Sequence, residues 1–275
     1  MKNIYITDLD HTFLRSDLSI SDYTKKTWNS YANEAILGIA TARTYKKTAQ
    51  FLEGVSVSAP MILLDGALIA TMDKKIIDTK FINKEMGDTI IEEGARLGIY
   101  PFVLSLVDNE LNEAFSYSTT LNSYQSEIIK RYANDDHTAV FSDLRAMQNN
   151  FKIVYMAEEM LLQALKQNLQ ALFGDELKYI LAPEAYMGCY FLTILHKDAD
   201  KSHGIRSVSE AAGFDLDKLT VFGDNFNDIG MFELANTSVA VANAQDGVKE
   251  KADIVLPHSN DEDAVARYLE GLKNA

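Results

Sequence analysis

The chain of 275 residues has a single cysteine, Cys189, four prolines and one tryptophan. One thiol allows no intramolecular disulfide, which suits a reducing compartment. Cys189 stands in the apolar run "CYFLTIL", where a buried, inert thiol is the ordinary reading. Basic residues are scarce: 26 Lys and Arg against 40 Asp and Glu leave a net charge of −14. Nucleic-acid binding draws mostly on Lys and Arg contacts to phosphate, so this balance argues against it. It also opposes docking on anionic membranes and repels small anions at long range. Any phosphate-bearing substrate therefore needs a local positive site. No run of 18 apolar residues exists, and the opening "MKNIYITDLD" has no signal-peptide layout. A soluble, cytoplasmic protein is the expectation. There is no low-complexity tract or internal repeat. The 47% hydrophobic content fits a globular chain of one large domain or two moderate ones.

Against these absences stands "ITDLDHTFL", residues 6 to 14, an apolar run that ends in Asp8 and Asp10. If the segment continues as a strand, side chains two apart share a face and the carboxylates sit side by side. Two like charges about 4 Å apart repel by about 1 kcal/mol in water and about 4 kcal/mol at an effective dielectric near 20. Either a positive group is close by, or the pair is simply solvated at a strand end.

The order of elements places this pair. "NIYIT" reads as a strand, Ser21 to about Glu34 as a helix capped by Ser21, "AILGIAT" as a strand and Tyr45 to Glu53 as a helix. "PMILLD" is a further strand, and "ALIAT" with "KKIIDT" reads as a hairpin around "MDK". From about residue 81 the pattern changes. Helical stretches near 83–97, 119–133 and 158–172 alternate irregularly with "YPFVLSLV", "NFKIVYMA", "LKYILA" and "GCYFLTIL", as in an α+β unit with an antiparallel sheet. After Leu195 the alternation returns: helix Lys201 to Ala212, strand "LTVFG", helix near 227–234, strand "SVAVA", a short helix, "DIVL" and a last helix "DEDAVARYLEGL". The economical fold is a Rossmann-like α/β core with a parallel sheet, residues 1–80 and 196–275, interrupted by an inserted α+β domain, residues 81–195.

Open parallel sheets place ligands at the carboxyl ends of their strands. Four groups fall there: Asp8 with Asp10; Thr41 in "GIATAR" with Arg43 beyond it; Lys201 opening the returning helix; and "FGDNFND" with Asp224, Asn227 and Asp228. Singly, each has a plain explanation, since Asp and Asn form turns, Thr caps helices and a lone lysine is usually on the surface. Their joint occurrence in this order resembles the four motifs of the haloacid dehalogenase superfamily of phosphohydrolases, and the insertion resembles the cap of its Cof-type subgroup, class IIB.

That resemblance implies a phosphatase acting on small phosphorylated metabolites such as sugar phosphates. It makes Asp8 the nucleophile that forms an aspartyl-phosphate, and Asp10 the group that protonates the departing alcohol and then activates water. Magnesium would be held by the Asp8 carboxylate, the Asp10 backbone carbonyl and Asp224. Asp228 would orient a water on the metal, or Lys201, from behind the ligands. Thr41 and Asn227 would hydrogen-bond phosphoryl oxygens or the nucleophile, and Lys201 would offset the charge of Asp8 and phosphate. Arg43 would bind substrate or brace the cap, which would close over the core.

The chain departs from the family's pattern at His11, Ala42 and Ser202, where glycine is usual, and at Asp65 in "DGA", where asparagine is usual. A left-handed backbone at residue 11 would cost about 1–2 kcal/mol. Asp65 would repel an anionic substrate unless remote, protonated or paired. Among the remaining histidines, His137, His196, His203 and His258 show no metal-ligand spacing, and His203 near Lys201 is the one to watch. Three other readings stay open: a phosphate-binding regulator with weakened catalysis, a phosphotransferase or mutase on the same scaffold, and a structural domain whose aspartates only form turns. Oligomeric state is open too.

Overall fold

Asn3–Thr7 is buried from Ile4 onward, with apolar side chains directed to both faces. A strand covered on both sides has no need of a polar face, so it reads as an unbroken apolar run. It lies inside a five-stranded parallel sheet in the order Ile254–Val255, Thr237–Ala240, Leu219–Gly223, Asn3–Thr7, Ala35–Ile39. The chain leaves Asn3–Thr7 towards one side and returns much later on the other. That reversal creates a crevice at the carboxyl ends of the central strands. The computed structural model describes residues 2–131, 138–184 and 187–273.

Contacts divide the chain into two compact units, Met1–Thr79 with Asp200–Ala275, and Lys80–Ala199. In the first, Ala40 bridges to Ile62 and so joins the parallel sheet to an antiparallel trio of Met61–Leu63, Leu68–Ala70 and Ile76–Thr79. The expected hairpin is the last pair of that trio. The helix Asp22–Asn29 is capped by Ser21, whose hydroxyl accepts the Thr24 amide, and it is shorter than the sequence suggests. Trp28 anchors it: the indole is fully buried, meets Phe13 edge-on at 4.9 Å and donates to the Ser56 carbonyl. Lys201–Ala212 has the expected limits, with Asp200 capping its start and Gly213, at φ 67°, ending it. The helix expected near 227–234 is two pieces, Phe226–Asp228 and Ile229–Phe232. The final helix starts only at Ala264, because Asp263 takes a left-handed φ of 61° that separates it from the turn Asn260–Glu262.

The second unit is a sheet in the order Leu177–Glu184, Cys189–His196, Asn149–Ala157, Phe102–Leu106, Glu113–Ser118, Thr138–Phe141, with Ile82–Asn83 also paired to Asn149–Ala157. One face packs Ile153, Tyr155 and Ile194 against Ile90 of the helix Lys84–Arg96 and Leu165 of Glu159–Phe173. The other holds Phe102, Tyr117, Met156 and Cys189 under Tyr124 and Ile128 of Ser123–Arg131. Cys189 is buried and free, and burial pushes its thiol pKa up, as expected of an inert cysteine. Among the described residues the antiparallel expectation holds for every pairing of this sheet except that of Glu113–Ser118 with Thr138–Phe141, which is parallel. His137 and the end of the helix expected at 119–133 lie outside the described residues. No helix among the described residues is long and apolar enough to cross a membrane.

Candidate active site

The first strand stops at Thr7, so Asp8 and Asp10 are not a strand pair. The Asp8 amide donates to Phe222 O at 2.9 Å, and the backbone then turns through Asp10 into a left-handed His11 at φ 56°. The strain expected of a non-glycine at residue 11 is therefore present. The turn sends the two carboxylates to different partners, and this resolves their repulsion.

Asp8 meets Lys201. Its Oδ1 accepts the ammonium at 2.6 Å, and the same ammonium donates to Asp228 Oδ1 at 2.6 Å. Lys201 is 1% exposed, in the first turn of its helix. Burial pulls its pKa down, but the charges of Asp228, Asp8 and Asp65 outweigh that and hold it above the usual lysine range. The second oxygen of Asp228 accepts the amides of Asp224 and Asn225 at 2.9 and 3.0 Å. Asp228 is thus a strut that fixes the lysine and the Asp224 loop together. Gly223 makes room for it, since a Cβ there would collide with the Asp228 carboxylate.

Asp224 accepts a hydrogen bond from the Thr12 hydroxyl at 3.0 Å. Carboxylate oxygens of Asp8, Asp224 and Asp228 all lie within 4.8 Å of one another. Burial, followed by the Asp228 charge, pushes Asp224 up to about 6. Asp8 is pushed well above the usual carboxylate range by burial, with Asp228 and Asp224 adding to the rise and Lys201 opposing it. Three buried carboxylates against one ammonium is an excess of negative charge in a place that disfavours it. A hard divalent cation with oxygen ligands fits this donor set. Asp8 and Asp224 each retain an oxygen free to turn to such an ion, whereas both oxygens of Asp228 are engaged.

The other predicted residues divide. Thr41 is fully buried two residues beyond the strand Ala35–Ile39, its amide donating to Ile62 O and its hydroxyl accepting the Arg43 amide at 3.2 Å. The hydroxyl proton remains to be donated elsewhere. Arg43 forks onto Asp10, with Nε at 2.8 Å from Oδ2 and Nη2 at 2.5 Å from Oδ1. Asn227 is exposed and donates to Asp65 Oδ1 at 2.9 Å, so Asp65 is paired. Asp65 and Leu64 both adopt positive φ, and a Cβ at Gly66 would strike the Asp200 carbonyl. The "DGA" turn thus lets two loops approach closely. Ser202 donates to Asp200 at 2.6 Å, and half-buried Ala42 joins Thr41 to Arg43. His203 contacts Asp78 at 2.6 Å instead of the acidic cluster. The sequence reading missed Thr12; its one signal was a hydroxyl donor directly after the paired aspartates.

A family profile described as haloacid dehalogenase-like hydrolase matches residues 5–269. The 5-amino-6-(5-phospho-D-ribitylamino)uracil phosphatase YitU of Bacillus subtilis is 23% identical over 275 residues, which cover 95% of this chain and 94% of that protein. A shorter stretch of 60 residues is 47% identical to the pyridoxal phosphate phosphatase YbhA of Escherichia coli, 22% of either chain. Among solved structures, TM0651 from Thermotoga maritima superposes with a TM-score of 0.80 at 26% identity, covering 98% of this chain and 97% of that one. The subclass IIB sugar phosphatase BT4131 shares the fold, with a TM-score of 0.75 at 19% identity over the whole of both chains. With its sheet, its acidic crevice and a profile match over nearly its full length, the chain belongs to the haloacid dehalogenase-like hydrolases.

Proposed function

We propose that the protein is a magnesium-dependent phosphatase of small phosphorylated metabolites, sugar phosphates foremost, that works through an aspartyl-phosphate on Asp8. The observation that carries this reading is the buried Lys201 ammonium shared by Asp8 and Asp228, with Asp224 tied to the same strut. Such an arrangement sets an ammonium against one carboxylate and aims it, as a nucleophile requires. Asp8 and Asp224 would hold magnesium, which when bound supplies positive charge facing the phosphoryl oxygens.

In the first half of the reaction an Asp8 oxygen bonds to phosphorus as the phosphorus–alcohol bond breaks, and Asp10 gives its proton to the leaving oxygen. In the second half Asp10 takes a proton from water as that water's oxygen bonds to phosphorus and the Asp8–phosphorus bond breaks. The proton is returned, and free alcohol and phosphate are the only products. Lys201 offsets the charge of Asp8, and the Thr41 hydroxyl is a donor to phosphoryl oxygen. Asn227 keeps a second Nδ2 proton for phosphate while the first is given to Asp65.

The inserted domain, 81–195, is assigned the choice of substrate. The relatives' names, a ribitylaminouracil phosphate, pyridoxal phosphate and a sugar phosphate, support a phosphate monoester on a small organic body. The test is phosphate release from a panel of such esters with magnesium. Turnover stops with EDTA, returns with added magnesium, and is absent from a folded Asp8→Asn variant. Undiminished activity in that variant removes Asp8 from its role. Ligand-induced thermal stabilisation without phosphate release would favour a regulator, and phosphate appearing on an acceptor alcohol a phosphotransferase.

A further inference from the structure

Two cations serve the two opening carboxylates separately. Lys201 faces Asp8, and Arg43 faces Asp10. Arg43 was expected at the phosphate or the cap, yet its guanidinium grips Asp10 through two N–H bonds to different oxygens, the geometry that fixes a carboxylate in both position and plane. Three further contacts hold Arg43 in place. Its planar head lies over the Phe51 ring, 4.6 Å from the centroid. Its amide is bonded to the Thr41 hydroxyl, and its carbonyl accepts the Leu64 amide at 3.1 Å. The salt bridge is partly exposed, at 24% for Arg43 and 33% for Asp10, so it adds little to stability. The backbone at Asp10 is extended and bounded by the left-handed His11, so the loop itself does not lock the side chain.

We infer that Arg43 is the positioning residue of Asp10: it aims the carboxylate and balances its negative charge after the proton has passed to the leaving alcohol. This rests on the phosphatase reading above and replaces the phosphate-binding role for Arg43. Each Asp10 oxygen keeps a lone pair beyond the one facing Arg43, so proton exchange with alcohol or water proceeds while the fork holds. An arginine on phosphate serves binding; one on the acid–base group serves rate.

Steady-state kinetics of Arg43→Ala and Arg43→Lys, with Asp10→Ala and the double variant, separate the two roles. The positioning role lowers kcat about 10- to 100-fold in Arg43→Ala, part of the contribution usual for acid–base catalysis. KM and the inhibition constant of inorganic phosphate stay within about twofold, as an effect confined to proton transfer requires. Arg43→Lys keeps the charge without the fork and falls between. Formation of the phosphoenzyme slows more for an alkyl phosphate than for p-nitrophenyl phosphate, whose leaving group needs no proton. Asp10→Ala with Arg43→Ala is no slower than Asp10→Ala alone. A raised KM and phosphate inhibition constant with kcat retained overturns the inference, as do losses that multiply in the double variant. If Arg43→Ala melts early, Arg43→Lys and the single-turnover comparison decide. Failure of the phosphatase reading is told apart by the controls, because wild type would then release no phosphate or Asp8→Asn would remain active.

Discussion

Lys201 is the residue on which the site turns. Its ammonium is out of water and satisfied by two carboxylates, an arrangement that costs desolvation and returns it only while all three groups are present. Lys201→Ala leaves Asp8 and Asp228 buried without a cation and should destabilise the fold by about 3 kcal/mol in urea unfolding. A loss below 1 kcal/mol would mean that water or protons compensate the pair. The sequence shows the lysine's place at the head of the returning helix, but not its burial, because a lysine in a first turn is ordinarily solvated. The same gap hides Thr12 and the Arg43–Asp10 fork. Each depends on which loops meet in space, and residues 212 and 33 positions apart leave no local pattern.

Among elements, the ends of the core unit are joined through Asp263. Its carboxylate accepts Arg15 Nη2 at 2.7 Å, Ser21 Oγ at 2.7 Å and Thr24 Oγ1 at 3.0 Å, tying the loop after Asp8 and the first helix to the last. Burial pushes this carboxyl up, but the hydrogen bonds from Arg15, Ser21 and Thr24 outweigh it and hold it below the usual range. Because the folded-state value is depressed, the stabilisation is complete above the unfolded carboxyl's value near 4 and is lost as pH falls through the folded one. Asp263→Asn should cost about 2 kcal/mol at neutral pH, with the gap to wild type closing below about pH 4. Urea midpoints across that range check it, and a gap independent of pH would assign the loss to shape alone. Caps and helices were the legible elements, Ser21 and Lys201–Ala212 above all, since an N-cap and a 3.6-residue period are local signals. The strand Glu113–Ser118 was not legible. Its inward serines, Ser116 and Ser118, are buried polar residues that mask the usual alternation.

At the scale of the whole molecule, a net charge of −14 would repel the substrates proposed for it, and Lys201 with the divalent ion proposed beside it would answer that repulsion. The core was readable because alternating strands and helices admit few topologies, and those topologies dictate where loops converge. Far-apart acidic segments are thereby predicted to share one strand edge. The substrate was not readable, since the pattern of the inserted unit carries only its own core.

The central claim is that Asp8 attacks phosphorus. The most direct measurement is acid-quench mass spectrometry of the Asp10→Asn variant during turnover of an aryl phosphate with magnesium. The account predicts one added phosphoryl group on the peptide bearing Asp8, lost on treatment with hydroxylamine. Phosphate release with Asp8 unmodified at every time point, or label on another residue, would contradict it.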